Sequence, residues 1–363
     1  MICKIISVDW ESALLAYSTK SLSFVKVKLR DNKANVLFWE SVEANSIGRI
    51  ELNGLSPASF YSGEIEFSGG VVPIEFETLP EPQGEMLGSY AIVADPHISC
   101  KTENRKGRFM LESAMILRDV VGLCNSLKPD CVLIPGDITN DGTEKEYSVA
   151  ADILKDLKMP YIATPGNHDY HHGESSIKCW EKYFASECGV HDTKSGKVIT
   201  LNTATSHLLA EEVHSLCSLL EKESSEPMII ISHYQLFDNE YICRGGAKKV
   251  VSNINEQEHL LELIKQKPSL VYAGHQNICS VKAVGKSFQI NAPQPVQHPC
   301  GFIYVSRYAN GFYHKFIPIS SEILRQWSSI SGEQAMNLYN EEQWDSLYRE
   351  GKDLSQTNFL IKM

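Results

Sequence analysis

The chain has 363 residues, 43% of them hydrophobic and 22% charged, which is ample for one large or two modest cores and too apolar for a disordered chain. It carries 34 Lys and Arg against 45 Asp and Glu, a formal net charge of −11. That balance disfavours duplex nucleic acid or an anionic membrane as main partner, because both are bound through clustered Lys and Arg.

A protein this acidic needs a local positive source if it handles phosphates, and metal ions are the obvious one. Asp9 and Glu11 interrupt the amino terminus too early for a secretory leader. No apolar run reaches the roughly 18 residues of a membrane helix. Ten cysteines, from Cys3 to Cys300, contain no Cys-x-x-Cys pair. Reduced, mostly buried thiols in a cytoplasmic protein therefore outweigh a disulfide framework.

Residues 1–80 read as short strands. Phe24–Leu29 and Tyr61–Phe67 alternate apolar and polar, with turn signals at Asp31-Asn32, Asn53-Gly54 and Gly69-Gly70. Period-two runs at this spacing predict a small β-sandwich. Leu55-Ser56-Pro57-Ala58-Ser59-Phe60-Tyr61 resembles the Leu-x-Pro-x-Thr-x-Tyr signature of fibronectin type III domains. In such sandwiches a tyrosine near a strand corner bonds back to the backbone. Similar modules precede the catalytic domain of purple acid phosphatases. A packing or substrate-rim module is the reading here.

Leu79–Glu85 is a linker by composition. Beyond it, strands that are apolar along their whole length alternate with helical stretches at about 107–127, 143–157 and 256–265. Ser89–Ala94 ends in Asp95-Pro96-His97, Cys131–Pro135 in Gly136-Asp137, and Tyr161–Pro165 in Gly166-Asn167-His168-Asp169. Met228–Ser232 ends at His233 and Leu270–Ala273 at Gly274-His275, with a further strand at Lys197–Asn202. Such a pattern predicts an α/β fold whose sheets are covered by helices, with the ligand crevice at the carboxyl ends of the strands.

Five strand ends thus deliver Asp95, His97, Asp137, Asn167, His233 and His275, with His168 beside them. Any one of these alone reads as a cap or a core histidine. Together, two carboxylates, one amide and three imidazoles exceed one closed tetrahedral site and suit two borderline metals, Mn, Fe or Zn, sharing a carboxylate.

Asp95-x-His97, Gly136-Asp137, Gly166-Asn167-His168-Asp169, His233 and Gly274-His275 resemble the ordered motifs of the calcineurin-like metallophosphoesterases, over about residues 88–318. Gly136–Gly142 followed by Glu146-Tyr147 is similar to the class III cyclic-nucleotide phosphodiesterase branch. The resemblance implies a four-layer αββα sandwich at 88–318, behind the 1–80 sandwich and ahead of an amphipathic helical extension at 319–363. It implies that Asp95 and His97 hold a first metal, that Asp137 bridges, and that Asn167, His233 and His275 hold a second. A hydroxide between the metals would attack phosphorus in line, and His168 would protonate the leaving oxygen.

One position departs from the motif. The family's closing Gly-His-x-His is here Gly274-His275-Gln276-Asn277, so Asn277 stands where the first metal's last histidine belongs. A weaker first site that recruits its metal, a site preferring a harder ion such as Mn²⁺, and a poorly active one-metal protein follow in that order.

The resulting expectation is hydrolysis of a small phosphodiester such as a cyclic nucleotide. A phosphomonoesterase or nucleotide pyrophosphohydrolase on the same site is the alternative enzyme, and a metal-binding interaction protein the alternative class. Asp169 reads as a cap of the following turn in preference to an orienter of His168, and His298 as structural. His171, His172, Lys101, Arg105, Lys106 and Arg108 read as solvated surface, and Arg244 is ambiguous between surface and substrate contact. Leu324, Trp327, Leu338, Tyr339, Trp344 and Tyr348 give the tail an apolar face for docking on the core or for a homodimer.

Overall fold

In the computed structural model of the chain, the described residues are 2–18, 23–31, 36–44, 47–105, 107–184, 189–222, 227–238, 250–276, 279–321, 323–325, 327–328 and 358–362. The alternating amino-terminal runs become seven strands in two antiparallel sheets. β1 (Ile2–Val8), β2 (Ser12–Ser18) and β5 (Ile47–Asn53) form the order β1-β2-β5. β3 (Ser23–Asp31), β4 (Val36–Ala44), β6 (Phe60–Phe67) and β7 (Gly70–Glu77) form the order β4-β3-β6-β7. Leu15, Leu29, Leu52 and Ile65, each fully buried, fill the space between them. Tyr61 is also buried, and its hydroxyl oxygen accepts the Ser56 N–H at 2.8 Å, which fixes the turn ahead of β6.

This sandwich rests on the remainder of the chain through Asp9. The Tyr313 hydroxyl donates to Asp9 Oδ1 at 2.5 Å, Lys315 Nζ lies 2.6 Å from Oδ2, and Trp10 meets Tyr313 edge-on at 4.6 Å. Arg49 adds a bond to the Pro299 carbonyl at 3.1 Å.

Two six-stranded mixed sheets follow. The first has the order β10-β9-β8-β17-β18-β19, from β8 (Met86–Ile92), β9 (Cys131–Pro135), β10 (Tyr161–Thr164), β17 (Gly301–Tyr308), β18 (Gly311–Pro318) and β19 (Phe359–Lys362). The second has the order β11-β12-β13-β14-β16-β15, from β11 (Gly189–Thr193), β12 (Gly196–Leu201), β13 (Met228–Ser232), β14 (Ser269–Ala273), β15 (Ser280–Val284) and β16 (Ser287–Asn291).

Successive residues of a strand face opposite ways, so each continuous apolar run serves two layers. Tyr90, Ile92, Cys131, Leu133, Ile229, Ile231 and Tyr272 meet between the sheets. Ala91, Val93, Val132 and Ile134 point outward, under α1 (Ser113–Leu127), α2 (Glu144–Leu154) and α3 (Glu174–Phe184). Ile199, Ile230 and Val271 do the same under α4 (Ala210–Lys222) and α5 (Glu258–Gln266). Four layers result, as the resemblance implies. Strands β8 to β10 run parallel, as do β12, β13 and β14, which puts their carboxyl ends at one edge.

Three details differ from the sequence expectation. Residues 107–112 are not helical, because their donors are used elsewhere: Phe109 N–H bonds the Val296 carbonyl at 2.8 Å and Leu111 N–H the Asn104 side chain at 2.9 Å. Helix α2 ends at Leu154, short of the expected 157, and at its start Thr143 and Glu146 form a reciprocal capping box. The carboxyl extension does not end in helix. Phe359–Lys362 pair antiparallel with β18, and Ile361 enters the core between the sheets. Leu338, Tyr339, Trp344 and Tyr348 lie outside the described residues; Leu324 packs into the outer core while Trp327 is half exposed. Cys100, Cys124, Cys131, Cys179, Cys217 and Cys300 are free thiols, and no described helix is long and apolar enough to cross a membrane.

Candidate metal centre

The strand ends that carry the site share an uncommon backbone. Asp95, His97, Asp137 and His275 have φ of 48°, 44°, 50° and 65°, in the left-handed region that side chains with a Cβ rarely adopt. Such conformations cost about 1–3 kcal/mol each and persist where surrounding structure enforces them, commonly at functional sites. Here the enforcement is a set of loop-to-loop bonds. His97 N–H donates to the Asp137 carbonyl at 2.9 Å, and His275 N–H to both Asp95 oxygens at 3.1 and 3.0 Å. A Cβ on Gly274 would lie 2.8 Å from Asp95 Oδ2, so the close approach of these loops needs glycine.

Two triads of candidate ligand atoms gather on this edge, each within 4.8 Å: His97, Asp137 and His168 in one, Asp137, His233 and His275 in the other. Asp137 belongs to both. The second triad can be read proton by proton. His233 Nδ1 lies 3.1 Å from the Pro135 carbonyl, which only accepts, so Nδ1 carries the hydrogen and Nε2 keeps its lone pair. That Nε2 faces Asn167 Oδ1 at 3.1 Å, His275 Nδ1 at 3.0 Å and Asp137 Oδ2 at 3.3 Å. Four electron-pair donors converge where a proton or a cation must stand between them. The donor set, nitrogen and oxygen with one shared carboxylate, fits a borderline divalent ion.

Asp95 stands at the junction of the two groups, its Oδ1 3.6 Å from His233 Nδ1. Burial pushes the Asp95 carboxyl up to about 7, opposed first by the His233 charge. Burial likewise pushes Asp137 to about 7, opposed by the His168 N–H and by the Arg108 charge. Burial holds the His233 imidazole below its usual range. Carboxylates this deep call for positive charge nearby.

His168 donates its backbone N–H to Asp137 Oδ1 at 2.9 Å, and its Nδ1 lies 2.5 Å from the Asn140 carbonyl. That carbonyl fixes the hydrogen on Nδ1 and leaves Nε2 as the working nitrogen. The ring stands edge-on to His97 at 4.8 Å. Burial, then the Arg108 guanidinium, lower its pKa to about 4. His171 stacks 6.1 Å from His168 but is exposed, as is His172.

Two expectations need correction. Asp169 neither caps the following turn nor orients His168. Its carboxylate accepts the N–H groups of Ile138 (3.1 Å), Thr139 (2.8 Å) and Gly166 (2.9 Å), tying the loop after β9 to the loop after β10. Asp169→Ala would take the acceptor from these three buried N–H groups and from the Thr139 hydroxyl, which bonds it at 2.8 Å. We expect a loss of about 3 kcal/mol or more of stability in urea unfolding; an unchanged midpoint and slope would contradict this role.

Arg108 is not solvated surface either. It is 5% exposed, whereas Lys101 pairs with Asp141 at 2.7 Å and Arg105 with Glu103, both at the surface. Lys106, Arg244 and Asn277 lie outside the described residues. His298 is buried, with Nδ1 3.2 Å from Ser328 Oγ.

Sequence reasoning also passed over Thr203 and Tyr234. Thr203 Oγ1 accepts the N–H groups of His233 (3.1 Å) and Tyr234 (2.9 Å), and the Tyr234 ring stacks on His275 at 4.1 Å. Thr203 follows β12 at the same carboxyl edge, which was the available signal.

The family model for calcineurin-like phosphoesterases matches residues 89–279. The chain belongs to that family. The chain is 37% identical over 81 residues to glycerophosphodiester phosphodiesterase GpdQ of Enterobacter lignolyticus, 22% of this chain and 28% of that protein. It is 24% identical over 181 residues to a probable cyclic nucleotide phosphodiesterase of Synechococcus, 48% of this chain and 68% of that protein. The GpdQ match thus spans less than a third of that relative's length. Among solved structures, a dimetal phosphatase from Danio rerio superposes with a TM-score of 0.51 at 14% identity, covering 64% of this chain and 96% of that one, which is likeness of fold.

Proposed function

We propose that this phosphoesterase hydrolyses a small phosphodiester, a cyclic nucleotide or a similar ester, in the cytoplasm. The observation that carries the reading is the lone-pair convergence on His233 Nε2, with Asp137 shared by both triads. Relatives named as phosphodiesterases support the diester over the monoester.

In this reading Asp95 and His97 would hold one ion, Asn167, His233 and His275 the other, with Asp137 contributing to both. Two such ions, Mn, Fe or Zn, supply Lewis acidity toward phosphoryl oxygens and a water acidic enough to attack phosphorus. The protein's own residues do the rest. The Pro135 carbonyl fixes the His233 tautomer, a partner that raises ligand basicity and holds the ring. The Asn140 carbonyl aims His168 Nε2 at the departing oxygen, to which it delivers a proton. An anionic ester beside His168 favours the imidazolium that burial alone disfavours.

The test of the diester preference is kcat/KM for bis-p-nitrophenyl phosphate against p-nitrophenyl phosphate, with Mn²⁺ present. The diester is expected to be the better substrate, and a preference for the monoester would overturn it. Asn277→His completes the family motif. We expect tighter binding of the first ion, read as a lower Mn²⁺ concentration for half-maximal activity; no change in metal content or activity would remove Asn277 from the first site.

A further inference from the structure

Glu146 is fully buried and belongs to neither ligand triad. Burying a carboxylate is unfavourable unless hydrogen-bond donors face it, and here three backbone N–H groups do. Cys100, three residues past His97, donates to Oε1 at 3.1 Å. Asp141 and Thr143, in the loop after β9, donate to Oε2 at 3.0 and 3.3 Å. Of these bonds, the one from Thr143 belongs to the helix cap. The other two join the loop after His97 to the loop after Asp137.

The Asp141 bond reaches His168. The Asp141 N–H and the Asn140 carbonyl belong to one trans peptide unit, which is planar, with the two groups pointing opposite ways. At one end that plane donates to Glu146, and at the other it accepts from His168 Nδ1 at 2.5 Å. The tautomer of His168 and the direction of its Nε2 therefore depend on how the plane is set. Hydrogen bonds in series polarise one another, so the carboxylate also makes the carbonyl a stronger acceptor. Glu146 is itself held in place, because the next residue of α2, Tyr147, donates its hydroxyl to the Asp169 carbonyl at 2.6 Å. On the far side of the plane, the Asn140 N–H donates to the Ile98 carbonyl at 2.9 Å.

We propose that Glu146 is a positioning residue for His168: through the Asn140–Asp141 peptide, its carboxylate keeps the imidazole turned so that Nε2 faces the departing oxygen. This rests on the reading of His168 as the proton donor. A helix cap alone would need neither the Cys100 nor the Asp141 bond.

The experiment uses the full chain loaded with Mn²⁺ and two diesters that differ in the leaving group alone, methyl p-nitrophenyl phosphate and methyl phenyl phosphate. The less acidic phenol depends more on a delivered proton. The variants are Glu146→Ala, Glu146→Gln, His168→Ala, the double variant Glu146→Ala with His168→Ala, and Thr143→Ala. The last removes the hydroxyl of the cap and keeps the backbone bond to Glu146. Metal content and thermal midpoint are measured beside kcat. In Glu146→Ala we expect unchanged metal content and a fall in kcat about tenfold larger on methyl phenyl phosphate than on methyl p-nitrophenyl phosphate. Glu146→Gln, with one oxygen for donors on two sides, should lie between Glu146→Ala and the unaltered protein. In the His168→Ala background, Glu146→Ala should add no further difference between the esters, since both act through one proton. Thr143→Ala should treat the two esters as the unaltered protein does.

Equal losses on the two esters in Glu146→Ala and Glu146→Gln would overturn the proposal. So would an ester-selective loss of the same size in Thr143→Ala, which marks helix capping. Should Glu146→Ala be unfolded at the assay temperature, Glu146→Gln alone decides. If His168→Ala is ester-selective and the Glu146 variants are not, this proposal alone fails. If His168→Ala itself shows no selectivity, the proton-donor reading fails and the proposal falls with it.

Discussion

Asp137→Asn is expected to abolish turnover while leaving the fold intact. Among the described residues Asp137 is the carboxylate shared by the two ligand triads, so its neutral isostere would weaken both ions together. Metal ions supply several kcal/mol of transition-state stabilisation, and each 1.36 kcal/mol is tenfold in rate, so a fall of about 10³ or more is expected. The sign for stability is opposite in chelator. Burial raises the folded carboxyl to about 7, above its unfolded value, so the ionised form destabilises the metal-free fold. That penalty grows as pH rises from the unfolded value toward 7 and is fully present above it. In EDTA at pH 8, Asp137→Asn should therefore unfold at or above the temperature of the unaltered protein. Metal titration, turnover and thermal unfolding of the same samples check all three statements. Retained turnover would remove Asp137 from the bridge.

His168→Ala is expected to lower kcat by about 10²–10⁴ for esters with poor leaving groups. Geometry gives the reason. With Nδ1 committed to the Asn140 carbonyl, Nε2 is the nitrogen left to carry a proton to the departing oxygen. A p-nitrophenolate leaves without help, whereas an alkoxide does not. The variant should therefore be impaired far less on bis-p-nitrophenyl phosphate than on a dialkyl ester or a cyclic nucleotide. Equal losses on both would assign His168 to phosphoryl binding or loop structure. Its backbone bond to Asp137 Oδ1 survives the substitution, so metal content should hold.

The centre of the site was legible because chemistry and strand position coincide. Asp95, His97, Asp137, Asn167, His233 and His275 each follow an apolar run, and parallel strands necessarily bring their carboxyl ends together. The four layers were legible for a related reason: runs apolar at every position must be covered on both faces.

What escaped lay in loops, where side-chain direction depends on tertiary bonds. Arg108 stands among four basic residues, yet it is buried while Lys101 and Arg105 stay outside, in a loop held by the ties of Phe109 to Val296 and of Ser99 to Ser113. Asp169 follows His168 directly, which suggests a local cap. Its bonds instead reach thirty residues back, to Ile138 and Thr139. Strand β19 escaped because a four-residue strand at the end of an aromatic, helix-like stretch has no period of its own. Its pairing with β18 supplies what its sequence does not.

The most direct test of a two-metal site is a count of ions on the protein as purified and after Mn²⁺ loading, by plasma mass spectrometry, on samples assayed with bis-p-nitrophenyl phosphate. Two ions per chain after loading, with turnover that rises as the second is filled, is the expected result. One ion or none per chain, with no Mn²⁺-dependent turnover of mono- or diesters, would contradict it.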